Sequence, residues 1–148
     1  MSASSSRRLA VDLLRTERAS LDDGAAAATH ALLEHLHRVL QPLIGSAGYQ
    51  TVLARAAIRG AGRHGRLKRL EIPRLGPPSP ESLRAVLDGA ETSAGAAETL
   101  VEEMLTLLAD LIGWRLLLRI MEAEWPGVVE SHDPAALERS TNPPMKES

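Results

Sequence analysis

Apolar residues recur at helical spacing along most of this chain. Residues 7–21 place Leu13, Leu14 and Leu21 on one side, in a stripe interrupted by Glu17. Asp22 and Asp23 then offer short carboxylates as N-caps for orphan N–H groups of the next helix. That helix is predicted over 24–44, where Leu32, Leu36, Val39 and Leu43 share a face. Pro42 lacks an N–H, so the last turn should kink or stop there. Gly45 ends the segment, and Ser46 is the N-cap of a third helix whose inner face is Tyr49, Val52, Leu53 and Ala56. Gly60, Gly62 and Gly65 break it, and residues 67–75 read as irregular, with a brief alternation at Leu70 and Ile72. Gly76-Pro77-Pro78 is a stiff connector. Ser79-Pro80-Glu81 then starts a helix with inner face Leu83, Val86 and Leu87, which Gly89 ends or bends.

The last element is the most informative. Leu100, Met104, Leu107, Leu111, Trp114, Leu118, Met121 and Trp125 alternate steps of four and three without a break. This predicts one heptad-patterned helix over 96–125, its seam about 38 Å long. A second stripe, Val101, Leu105, Leu108 and Ile112, runs beside its first half, and Leu116, Leu117 and Ile120 widen the second half. So apolar a helix is either central or partly covered by another chain. Pro126-Gly127 stops it. The expected fold is all-α: a single-domain bundle of four or five helices around this long C-terminal helix. Residues 7–126 form the domain, 1–6 a disordered N-terminus and 127–148 a mostly disordered tail.

Composition agrees. The 148 residues include 24 Leu and 22 Ala, with only 2% aromatic residues, so helix formers dominate and sheet formers are scarce. Without cysteine there is no disulfide, thiolate nucleophile or Cys-based metal site. Asp110, Arg115 and Arg119 make the 104–121 stretch a costly membrane span, and the Ser-rich N-terminus is not followed by a secretory h-region. A cytoplasmic protein with no membrane span is expected.

Charge changes the picture more. The net charge of −2 hides a basic middle: seven cations against Glu71 in residues 55–74, and five cations against thirteen acids in 75–148. Arg55, Arg59, Arg63, Arg66, Lys68 and Arg69 form the candidate anion- or nucleic-acid-binding set. Aromatic residues for base stacking are missing there, and pairing with the acidic C-terminal half is the simpler use of these arginines. Gly60 to Gly65 spells G-x-G-x-x-G, but it follows a helix and leads into a basic loop. That context suits a helix terminator rather than a dinucleotide site. His30, Glu34 and His37 share a helical side, and Glu34 to His37 reads E-x-x-H. Without a second copy, a solvated face opposite the Leu stripe is expected, rather than a metal site.

Residues 111–126, LIGWRLLLRIMEAEWP, resemble the C-terminal helix of a group of short, all-helical bacterial proteins without assigned function. Their pattern is L-[IV]-G-E-x-L-T-x-R followed by W-P. Leu111, Gly113, Leu116, Arg119, Trp125 and Pro126 match it, while Trp114 and Leu117 replace an acid and a threonine. The resemblance covers about one tenth of the chain, implies a helical bundle and brings no activity. Gly113, lacking a side chain, is expected to let another helix approach closely.

The leading functional expectation is a non-enzymatic interaction or adaptor protein. It would associate with itself or with a helical partner through Leu107, Leu111, Trp114, Leu118, Met121 and Trp125, with no cofactor. Nucleic-acid binding by the basic segment is the alternative. A small-molecule or metal site inside the bundle is the third reading.

Overall fold

The computed structural model describes residues 3–20, 25–87 and 93–130. Six α-helices and one 3-10 turn lie in this part: α1 Ala3–Ser20, α2 Ala25–Gly60, the turn Gly65–Arg69, α3 Pro80–Leu87, α4 Ser93–Ile112, α5 Trp114–Met121 and α6 Pro126–Glu130. No strand occurs among the described residues. The all-α bundle is therefore the observed fold. Helices α1, α2 and α4 pack mutually as its centre, α3 and α5 lie against α2 and α4, and α6 closes on α1 and α5.

Helix α1 begins at Ala3, so residues 3–6, expected to be disordered, are helical, and the Ser6 side chain is buried. Leu9, Leu13 and Leu14 anchor it in the core. Pro42 does not stop α2. The break comes three residues later at Gly45, where φ is +78° and ψ 164°, a conformation that suits a residue without Cβ. The break is sharp. In a straight helix, residues 33 and 49 would lie about 24 Å apart along the axis. Instead the Tyr49 hydroxyl donates to the Leu33 carbonyl at 2.8 Å, and its ring meets the His37 imidazole edge to face at 4.8 Å. The two arms of α2, 25–44 and 46–60, therefore fold back on each other as a hairpin. Gly60 closes the second arm tightly, since a Cβ there would sit 2.7 Å from Leu67 Cδ1.

The expected 96–125 helix is not continuous. It breaks at Gly113, where φ is +93° and ψ 145°, into α4 and α5. The physical reason lies in the packing of α4. Its buried face is the arc of Leu100, Val101, Met104, Leu105 and Leu108, so both stripes enter the core at first and the heptad seam leaves it after Met104. Leu107 is only half-buried and Leu111 is 58% exposed. The turn at Gly113 resets the phase, and Leu117, Leu118, Met121 and Trp125 enter the same core. A Cβ at Gly113 would meet nothing within 4 Å. The glycine serves backbone geometry there, not the close helix approach expected of it.

The tail beyond Glu130 and the caps Asp22 and Asp23 lie outside the described residues, as does Gly89. Residues 127–130 of the expected tail are helical, as part of α6. No helix among the described residues is long and apolar enough to cross a membrane.

Candidate functional site

The second arm of α2 carries Arg55 and Arg59 outward, because Val52, Leu53, Ala56 and Ala57 hold its other side in the core. Arg63 follows in the turn capped by Gly60, whose carbonyl accepts from the Arg63 and His64 N–H groups. Two of these cations are already matched within the chain. Arg63 donates to Glu102 at 3.3 Å and to Glu103 at 2.7 Å. Arg59 Nε lies 3.0 Å from Glu103 Oε1, close enough for an ion pair although not aligned for a hydrogen bond. Arg7, from α1, reaches the same carboxylate row: Glu98 at 3.0 Å, Glu102 at 3.1 Å and the Thr99 hydroxyl at 3.2 Å. Glu102 is buried and takes an arginine from each side, which ties α1, α4 and the end of α2 together. Exposed pairs contribute little on their own, but a buried carboxylate with two charge-assisted donors holds its neighbours in register. The opposed charges of the two halves thus meet inside one chain.

Arg55, Arg66, Lys68 and Arg69 have no ion pair among the described residues. Arg55, Lys68 and Arg69 are exposed and Arg66 is half-buried. Of these, Lys68 lines a cleft of about 330 Å³ between the second arm of α2 and residues 67–72.

The expected protein-interface residues divide. Leu118, Met121 and Trp125 are buried in the chain's own core. Leu107 and Trp114 are half-buried and Leu111 is exposed, with Leu116, 40% exposed, across the Gly113 break. Asp110, Arg115 and Arg119 are exposed around them and make no ion pair among the described residues.

Two polar arrangements were not anticipated. Glu17, the interruption in the α1 stripe, is buried. It accepts the Trp125 indole N–H at 3.0 Å and contacts His35 Nδ1 at 2.8 Å, and the His35 and Trp125 rings stack edge to face at 5.4 Å. An acid in an apolar stripe was the one available signal. The other is the clasp of Gln50, whose amide donates to the Pro73 and Gly76 carbonyls at 2.6 and 3.1 Å. The His30, Glu34, His37 side also differs from a uniformly solvated face. Glu34 is exposed, but His37 turns onto Tyr49, while His30 and Glu34 border a shallow cleft of about 250 Å³ that includes Arg84. No three His, Asp or Glu side chains converge as a metal set among the described residues. Burial pushes the Tyr49 hydroxyl well above its usual range, so it serves as a donor.

The fold and surface define a helical bundle with charges paired between its helices, an apolar cleft beside the second arm of α2, and exposed leucines on both sides of Gly113. The chain matches no protein-family model, no curated protein and no solved structure.

Proposed function

We propose that this chain is a non-enzymatic, cytoplasmic interaction protein that associates with a second copy of itself through the corner at Gly113. The observation that carries this reading is the pair Leu111 and Leu116, both exposed on the two sides of the break while the other apolar side chains of 100–121 are buried or half-buried. Single exposed leucines are ordinary. Two that flank a glycine-forced corner, with Leu107 and Trp114 half-buried beside them, form a surface rather than scatter. The charges around it are self-complementary. In a two-fold contact, residue i of one copy meets j of the other and the reverse. Asp110 of one copy would then meet Arg115 or Arg119 of the next, all three lacking ion-pair partners within the described chain.

Hydrogen exchange at low and high protein concentration tests this. Peptides covering 107–120 should gain protection as concentration rises. Exchange in that region independent of concentration would remove the reading. Nucleic-acid binding has less support, because Glu102 and Glu103 already occupy Arg59 and Arg63, and residues 55–74 contain no Phe, Tyr or Trp for stacking.

A further inference from the structure

The cleft beside the second arm of α2 is apolar and concave, and the one charged side chain that lines it is a cation, Lys68. Ala54 and Ala57 of the helix and Ala61 in the turn just beyond it form its floor, where small side chains leave room. Ile72 stands across from them. Ile58 sits on the rim, 73% exposed, the most exposed large apolar side chain among the described residues. Lys68 is the one polar side chain lining it, and no carboxylate does. On the helix, Arg55 lies about 60° round from Ile58, past the rim from Ala54 and Ala57, and Arg59 about 100° round; Arg59, and Arg63 in the turn beyond, are neutralised by Glu102 and Glu103. With those two arginines removed from the count, the 55–74 stretch keeps five cations against Glu71, a net of +4. Of these, Lys68 lines the opening itself, and Arg55 and Arg69, exposed and without an ion pair among the described residues, adjoin its lining residues Ala54 and Leu70 in the chain.

We propose that this cleft is the docking site for an acidic amphipathic helix of a partner protein. Apolar side chains at i and i+3 or i+4 of that helix would enter over the alanine floor against Ile58 and Ile72. Its carboxylates would meet Arg55, Lys68 and Arg69. This is helix-in-groove recognition, in which apolar anchors give affinity and flanking charge gives selectivity and a fast encounter. Charge complementarity selects the occupant. A basic or neutral helix would leave the cations unmatched. A bilayer is engaged by protruding apolar groups, whereas these line a hollow. Single-stranded nucleic acid would need stacking rings, and none lines the cleft.

The test is fluorescence anisotropy with a labelled Leu/Glu amphipathic peptide, against a Leu/Lys peptide of the same spacing, phosphatidylserine vesicles and single-stranded RNA. The Leu/Glu peptide should bind the wild-type chain, more weakly as salt is added. Ile58→Glu and Lys68→Glu should each weaken it by about tenfold or more. Both positions are exposed, so the variants should fold, as circular dichroism would verify. The proposal is overturned if the Leu/Glu peptide binds no better than Leu/Lys, or if neither substitution changes its affinity. It is equally overturned if vesicles or RNA bind through Lys68 while the peptide does not. Leu111 and Leu116 take no part, so this result is independent of self-association.

Discussion

Replacing Gly113 by alanine separates two geometries by the sign of a stability change. In the continuous helix that the heptad pattern predicts, Gly→Ala in the interior would stabilise by about 1 kcal/mol, because alanine is the better helix former. In the observed structure Gly113 holds φ +93° and ψ 145°, a region that residues with a Cβ rarely enter. Forcing alanine there costs about 1–3 kcal/mol. No steric collision adds to this, since the new Cβ would have no neighbour within 4 Å. The strain would have to be absorbed by the backbone that turns Leu117, Leu118, Met121 and Trp125 into the core. Urea unfolding followed by circular dichroism measures the difference. With a slope of about 1–3 kcal/mol per molar urea, Gly113→Ala should lower the midpoint by about 1 M. A midpoint that rises would refute the broken-helix geometry and with it the exposure of Leu111.

Three further perturbations address the interior. Tyr49 is the chain's one tyrosine, and burial raises its hydroxyl pKa. The folded state therefore keeps the proton more tightly than the unfolded chain, which releases it near pH 10. Its contribution is complete below that pH and falls as pH rises, so tyrosinate absorbance should appear together with unfolding; tyrosinate forming in a chain with native circular dichroism would contradict the burial. Glu17→Leu leaves the buried Trp125 N–H without its acceptor and should cost about 1–3 kcal/mol. The same change in a Trp125→Phe background should cost less, and strict additivity in that cycle would show that the hydrogen bond contributes nothing. Arg7→Ala and Arg63→Ala should each cost at most about 1 kcal/mol, because the other arginine still faces Glu102 and both are partly exposed. The double variant strands the buried carboxylate and should lose more than the sum, as calorimetric melting would record.

The fold class was readable because helical spacing survives in the local pattern. Leu32 with Leu36, Val52 with Leu53, and Leu83 with Val86 and Leu87 mark buried faces whatever their partners are. The sequence also placed the break at Gly45, since a helix terminator is a local signal, although it gave Pro42 too much weight. The continuity of 96–125 was misread because a four-three repeat describes a helix only while its phase is kept. One glycine at positive φ resets that phase, and glycine inside a helical pattern looks the same whether it is tolerated or decisive. The choice of Val101, Leu105 and Leu108 as the core side of α4 depends on what packs against them, which no single stripe encodes. Charge pairing was anticipated from the asymmetry of the two halves. The particular match of Arg59 and Arg63 with Glu102 and Glu103 needed the fold, as did the contact between Glu17 and Trp125, 108 residues apart.

Self-association through the Gly113 corner is the central functional claim, and light scattering over a concentration series tests it most directly. The wild-type chain should approach the mass of a dimer as concentration rises. Leu111→Glu with Leu116→Glu, at positions already in contact with water, should remain monomeric with unchanged circular dichroism. A wild-type chain that stays monomeric across the series, or a dimer that survives the double substitution, would contradict the account.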